Sequence, residues 1–89
     1  TQNGFTQKIM KLSVYSLKKI LFQGEAQLLN CKTVMGEITI LDNHETLITV
    51  LASGIVKIAD SQGKEHFFPI KSGFLEVKPG NEVRCIVEE

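Results

Sequence analysis

The clearest indication of the fold comes from residues 73–87, Gly73-Phe74-Leu75-Glu76-Val77-Lys78-Pro79-Gly80-Asn81-Glu82-Val83-Arg84-Cys85-Ile86-Val87. Its centre, Pro79-Gly80-Asn81, is built from the residues that tight turns require. The segments on either side, residues 73–78 and 83–87, are short and apolar, so they are predicted to pair around the turn as a β-hairpin. This hairpin indicates antiparallel β-structure.

The same succession of short apolar segments and turn residues continues back along the chain. Predicted strands recur about every 8–12 residues, and no segment has the sustained three-and-four spacing of a long amphipathic helix. An all-β fold, a sandwich or a barrel, is therefore predicted. Besides the hairpin, the predicted strands are residues 11–15, 20–22, 25–31, 37–40, 46–51, 55–59 and 65–68.

Single residues refine these strands. Gly24 allows a sharp change of direction, so residues 20–22 and 25–31 are predicted as separate strands. Pro69 cannot donate a ladder hydrogen bond, so the strand before it should lie at a sheet edge or end there. Phe67 and Phe68 are neighbours on one strand and point to opposite faces, so one is expected in the core and the other near an edge.

The predicted core follows the alternation of apolar residues along the strands. Three segments, residues 46–51, 55–58 and 83–87, are apolar on both faces. They fit either central strands of a sandwich or an exposed apolar patch for binding, and both interpretations stay open. The predicted core residues are Leu12, Val14, Leu28, Leu47, Val50, Val56, Ile58, Leu75, Val77 and Cys85.

The length and composition indicate one small domain. The chain has 89 residues, with ten basic and ten acidic side chains and a formal net charge of zero. A nucleic-acid-binding surface needs net positive charge, so nucleic acid is not an expected partner. Residues 10–89 are predicted to form the domain, and residues 1–9 a disordered or added tail. No apolar run approaches the roughly 20 residues of a membrane span.

The two cysteines, Cys31 and Cys85, do not form a C-x-x-C motif. A disulfide scaffold would need a higher density of cysteine. Both residues are therefore predicted to be reduced thiols buried in the core, where cysteine behaves as a small hydrophobe.

The cluster that most resembles a catalytic site is Asp42-Asn43-His44-Glu45. A histidine between carboxylates could act as a general acid or base. The zinc-protease signature fails, because it requires a second histidine where Ile48 stands, and His66 gives no metal-ligand spacing with His44. A turn before a strand is the favoured interpretation, with no catalytic residue, metal site or cofactor. A small hydrolase using His44 with Asp42 or Glu45 stays as the weakest alternative.

Seven blocks of sequence follow one another in a characteristic order. They are Lys11-Leu12, Leu21-Phe22-Gln23-Gly24-Glu25, Gly36-Glu37, Ile40-Leu41 with His44, Leu47-Ile48-Thr49, Gly54-Ile55-Val56-Lys57-Ile58, and Ser72-Gly73-Phe74-Leu75-Glu76-Val77 with Pro79-Gly80-Asn81-Glu82-Val83. In their order and spacing, over about residues 10–87, the chain resembles the N-terminal β-domain of the epsilon subunit of F-type ATP synthases. The last block is the most specific.

The resemblance implies a flattened sandwich of two antiparallel sheets without catalytic residues. Such a domain sits at the foot of the central stalk, grips the gamma subunit and rests on the membrane c-ring, peripheral to the cytoplasmic face of the bacterial inner membrane. It couples ion-driven rotation to ATP synthesis and needs no cofactor. By position, the c-ring contact falls on Gly36, Glu37 and Ile38, and the gamma-subunit contact on Ser16, His44 and Thr49.

Departures from the family pattern fall in the contact loop. Thr39 stands where the family usually has Gly, Asp42-Asn43 where it has Pro-Gly, and Glu45-Thr46 where it has Ala-Pro. Family members usually continue into a two-helix C-terminal domain, which in some bacteria binds ATP and restrains hydrolysis. The sequence stops at Glu89, so neither that arm nor its nucleotide site is expected. A free-standing β-sandwich adaptor or ligand-binding module is the alternative function.

Overall fold

The computed structural model describes residues 9–89, and the regular structure in that range consists of eight β-strands. They are β1 (Met10–Tyr15), β2 (Ile20–Thr33), β3 (Gly36–Ile40), β4 (Leu47–Leu51), β5 (Gly54–Asp60), β6 (Glu65–Ile70), β7 (Ser72–Lys78) and β8 (Glu82–Glu88). The all-β prediction is confirmed, and the described range holds no helix able to cross a membrane. The expected tail lies outside the described residues, apart from Ile9, which has no regular structure.

β2 joins the two halves of the fold. Its fourteen residues pair first with β1 and then with β5 and β3. The predicted break at Gly24 is wrong, because Gly24 pairs with Leu12 inside the regular part of the β1–β2 ladder, which runs from Met10 to Val14 on β1. β2 changes partner instead near a β-bulge between Ala26 and Leu28, and bulges bend and twist the strands that contain them.

β2 contributes to two layers of the sandwich. The strand order is β2, β1, β8, β7, β4 in the first layer and β3, β2, β5, β6 in the second. β6 is an edge strand, so the prediction from Pro69 is confirmed. Neighbouring strands of the described range are antiparallel except for the parallel pair β1–β8. These two strands are far apart in sequence, so no tight hairpin forces them to run in opposite directions.

The inner faces of both layers form one hydrophobic core, and most of the predicted core is confirmed. The prediction that Val50 lies in the core is wrong, because Val50 is 48 % exposed and Leu51 is buried instead. Leu28 is only half-buried, and its neighbour Leu29 lies in the core. A run that is apolar on both faces does not reveal which face points inward, and the bulge before Leu28 shifts the alternation. The confirmed residues are Leu12, Val14, Val56, Ile58, Leu75, Val77 and Cys85, with Leu47 packed against them.

Cys31 and Cys85 are free and buried, as predicted. Burial raises the pKa of the Cys31 thiol to about 11. Burial, and to a smaller extent the nearby Cys31, also raises the pKa of the Cys85 thiol. Because the thiolate is the reactive form, both side chains are unreactive near neutral pH and serve as small core hydrophobes.

Asp60 organises the turn between β5 and β6. Its Oδ1 accepts hydrogen bonds of 2.9 Å from the backbone N–H groups of Gln62 and Lys64. Its Oδ2 lies 2.9 Å from Nε2 of His66. The hydrogen bond with His66, helped by the two backbone bonds, holds the pKa of the Asp60 carboxyl below its ordinary value. The loop predicted after β5 is therefore a tight turn capped by a carboxylate.

We expect Asp60→Asn to destabilise the domain near neutral pH and to matter less as the pH falls. The pKa of Asp60 is lowered in the folded state, so its contribution is present above the unfolded pKa of about 4 and disappears as the pH falls through the folded value. Thermal unfolding midpoints of both proteins, measured between about pH 3 and pH 7, should converge at the acid end. A difference that does not change with pH would contradict this account.

Candidate protein-interaction surface

The outer face of the first layer carries a continuous line of apolar side chains. Cross-strand pairing aligns Val50 on β4, Phe74 on β7, Ile86 on β8, Tyr15 on β1 and Ile20 on β2. The exposed fractions are 48 % for Val50, 42 % for Phe74, 46 % for Ile86 and 56 % for Ile20. We call these residues the apolar row. The exposed apolar patch that the sequence left open is thus present.

The side chains of the apolar row point outward, as follows from the alternation of side chains along each strand. Leu75 and Cys85 are buried, so the preceding Phe74 and the following Ile86 point outward. On β4 the same rule places Thr49 on the inner face, opposite Leu75, where it is only partly exposed. Thr49, predicted as a gamma contact, therefore lies beside the core and not on the outer surface of its strand.

Polar side chains border the apolar row on one side. Glu76 and Arg84 form an ion pair across β7 and β8, with 2.8 Å between Oε1 and Nη2. An apolar centre with a polar rim is typical of protein–protein interfaces and not of catalytic pockets. Farther from the row, residues of alternating charge cross the layer: Lys78, Glu82, Lys11 and Glu25.

The outer face of the second layer is less continuous. Phe67 on β6 is 57 % exposed, while Phe68 packs against the core, as the sequence predicted for this pair. Phe67 lies beside Lys57, whose Nζ is 3.0 Å from Oε2 of Glu65. This ion pair interrupts the apolar surface, so Phe67 offers an exposed phenylalanine outside the apolar row.

The predicted c-ring contact lies at the tip of the β2–β3 hairpin. Gly36 and Glu37 are exposed there, whereas Ile38 is partly buried against the core. Two further residues at this tip were not predicted as contacts: Met35, which is 89 % exposed, and Val34 beside it. The sequence does contain an indication of this surface, because two apolar residues occupy a turn where polar residues are usual.

Two sets of hydrogen bonds hold this tip. Thr33 Oγ1 donates to the carbonyl oxygen of Gly36 at 2.7 Å and accepts from the backbone N–H of Met35 at 3.0 Å. The backbone N–H of Val34 donates to the carbonyl oxygen of Val50 at 3.1 Å. The tip is therefore ordered, and it adjoins the apolar row at β4.

Ser16 and His44 lie at opposite ends of the first layer. Ser16 follows Tyr15 in the β1–β2 turn, where its Oγ accepts hydrogen bonds from the backbone N–H groups of Lys18 and Lys19 at 3.2 Å. His44 lies in the loop before β4. The structure does not bring these two predicted gamma contacts together, but the outer face with the apolar row lies between them.

The geometry around His44 favours a turn over a catalytic site. Its Nδ1 lies 2.8 Å from the carbonyl oxygen of Glu45, which places the hydrogen on Nδ1. The Asp42 carboxylate accepts a 3.4 Å hydrogen bond from the side-chain amide of Asn43. A backbone carbonyl therefore orients the imidazole of His44. In a triad of the catalytic kind, a further side chain orients the base, and the base is hydrogen-bonded to a nucleophile. Among residues 9–89, no three His, Cys, Asp or Glu side chains are close enough to hold a metal ion.

The fold and the apolar row define a small β-sandwich with a surface of the protein-binding type. Residues 9–89 match the family model described as ATP synthase, Delta/Epsilon chain, beta-sandwich domain. The chain belongs to this family.

Two curated relatives are ATP synthase epsilon chains. The chain of Nitrosococcus oceani is 36 % identical over 70 residues, which cover 79 % of this chain and 50 % of the relative. The chain of Clostridium novyi is 37 % identical over 70 residues, which cover 79 % and 53 %. This chain thus spans about half the length of the curated relatives that it matches.

Solved structures show the same fold at lower sequence identity. A chain of the Euglena gracilis mitochondrial ATP synthase, in a structure of OSCP, F1 and c-ring, aligns with a TM-score of 0.85 at 22 % identity, covering 100 % of this chain and 56 % of that chain. A chain of the central stalk and c-ring of the Tetrahymena thermophila mitochondrial ATP synthase aligns with a TM-score of 0.78 at 16 % identity, covering 96 % and 67 %.

Proposed function

We propose that this chain is a rotor subunit of an F-type ATP synthase, without catalytic residues of its own, at the cytoplasmic face of a bacterial inner membrane. It binds the gamma subunit and the c-ring and couples ion-driven rotation to ATP synthesis. The observation that carries the proposal is the apolar row on a domain of the delta/epsilon family. Contiguous exposed apolar patches mark interaction sites on soluble domains.

The apolar row is the proposed docking surface for the gamma subunit. Phe74 and Tyr15 supply aromatic surface, which dominates the binding energy of many interfaces. The Glu76–Arg84 ion pair forms part of the polar rim. Ser16 follows Tyr15 of the row directly, whereas His44 lies beyond the line of charged residues that crosses the layer. A partner that contacts both must therefore cover this charged line as well as the row.

The tip of the β2–β3 hairpin is the proposed contact with the c-ring. Glu37 is exposed at the tip, and a carboxylate complements the basic and amide groups that c-ring loops offer. The hydrogen bond from Val34 to Val50 connects the tip directly to β4. A force applied at the tip therefore reaches the gamma-binding face through hydrogen-bonded strands and not through a flexible loop.

The test separates the two contacts with two alanine variants. Titration of the domain with purified gamma subunit should give one-to-one binding, weakened about five-fold by His44→Ala and unchanged by Glu37→Ala. Retention of the gamma–domain complex on purified c-ring should be weakened by Glu37→Ala and unchanged by His44→Ala. The loss caused by Glu37→Ala should become smaller as the salt concentration rises, because salt screens the carboxylate. A well-folded domain that does not bind gamma contradicts the proposal and favours the free-standing adaptor.

A further inference from the structure

Asn81 joins three separate segments of the chain. Its side-chain Oδ1 accepts a hydrogen bond from the backbone N–H of Asn43, with 2.6 Å between nitrogen and oxygen. Its backbone carbonyl oxygen accepts a hydrogen bond of 2.7 Å from the backbone N–H of Lys11. Asn81 belongs to the β7–β8 turn, Asn43 to the loop between β3 and β4, and Lys11 to β1. One residue thus ties the His44 loop to the body of the domain.

The two asparagines have unusual backbone conformations. The φ angle is 59° at Asn81 and 60° at Asn43. Asparagine enters this left-handed region more readily than most residues with a side chain, and a single such residue often marks a shaped turn. A direct hydrogen bond between two of them indicates that the loop and the turn are fitted to each other.

A shallow groove lies beside this hydrogen bond. Thr46 and Ile48 line one wall, and Val77 and Pro79 line the other. The first wall continues from the loop that contains Asn43 and His44, and the second leads into the turn that contains Asn81. The β4–β7 ladder sets how the two walls stand relative to each other, and the hydrogen bond between the two asparagines ties the loop to the turn beyond the ends of these strands.

We propose that Asn81 is a positioning residue for partner binding, because its side chain holds the loop before β4 against the β7–β8 turn at Asn43 and so presents His44 to the gamma subunit. The inference rests on the proposed function for the identity of the partner. Without the hydrogen bond the loop would sample more conformations, and binding would have to restrict them, which lowers affinity.

Two substitutions of Asn81 separate its side chain from its backbone conformation. Asn81→Gly keeps the positive φ without strain but removes the acceptor. Asn81→Asp keeps an acceptor oxygen and tolerates the same conformation. Hydrogen exchange of the Asn43 backbone amide, resolved by NMR, reports the loop directly and needs no partner. Titration with purified gamma subunit reports binding, and His44→Ala serves as the reference variant.

Asn81→Gly should accelerate exchange of the Asn43 amide about ten-fold and weaken gamma binding several-fold, while Asn81→Asp stays close to wild type in both measurements. Unchanged exchange at Asn43, or faster exchange with unchanged gamma affinity while His44→Ala binds more weakly, overturns the positioning role. If the wild-type domain does not bind gamma, the proposed function itself fails. If the wild-type domain binds gamma but Asn81→Gly binds equally well, only the positioning role fails, so the two failures are distinguishable.

Discussion

Val56→Asp is expected to unfold the domain at room temperature. Val56 is 1 % exposed and packs in the core from the second layer. An unpaired charge at such a site costs several kcal/mol, whereas a domain of this size has a total free energy of unfolding of about 4–13 kcal/mol. Far-UV circular dichroism and thermal melting of the variant should show no cooperative transition of the wild-type kind.

Val50→Asp is the matched control, because it makes the same chemical change on an outward-facing valine. Val50 is 48 % exposed, so the new carboxylate stays in water and costs only the weaker strand preference of aspartate, up to about 1 kcal/mol. This variant should fold and melt cooperatively. A cooperative melt for Val56→Asp, or unfolding of Val50→Asp, would show that the inner and outer faces have been assigned incorrectly.

Phe74→Asp is expected to abolish most gamma binding without unfolding the domain. Phe74 lies within the apolar row, between Val50 and Ile86. A charge there must be desolvated when a partner covers the row, and the aromatic contact is lost as well. We expect the affinity for gamma to fall at least about 30-fold, roughly 2 kcal/mol, in a calorimetric titration.

Phe67→Asp is the control for Phe74→Asp. Phe67 is 57 % exposed on the outer face of the second layer, away from the apolar row, so the same substitution there should leave gamma affinity near the wild-type value. Melting curves of both variants must show that they are folded. Equal losses of affinity for the two variants, or a loss confined to Phe67→Asp, would remove the apolar row from the interface.

The sequence predicted the strands well where the turns are chemically distinct. Pro79-Gly80-Asn81 separates β7 from β8, and Asp60 with Gly63 ends the β5–β6 hairpin, as expected. Pro69 correctly indicated an edge strand. In each case one residue type restricts the backbone so strongly that the surrounding chain has few alternatives.

Other features depend on long-range pairing that no local pattern reveals. Gly24 was expected to break a strand, yet it pairs with Leu12, and its neighbours in β2 also pair with β1. The outward direction of Val50 depends on its pairing with Phe74, and both faces of β4 are apolar. The apolar row contains residues from five strands that only the tertiary structure aligns. The hydrogen bond from the Asn43 backbone N–H to the Asn81 side chain joins residues 38 positions apart.

Hydroxyl-radical footprinting of the domain, with and without purified gamma subunit, would test directly whether the apolar row is the gamma-binding surface. Mass spectrometry reads oxidation at Tyr15, Phe74 and Phe67 in one experiment. We expect the gamma subunit to protect Tyr15 and Phe74 in the apolar row and to leave Phe67 as reactive as in the free domain. Protection of Phe67 with no protection of Phe74 would contradict it.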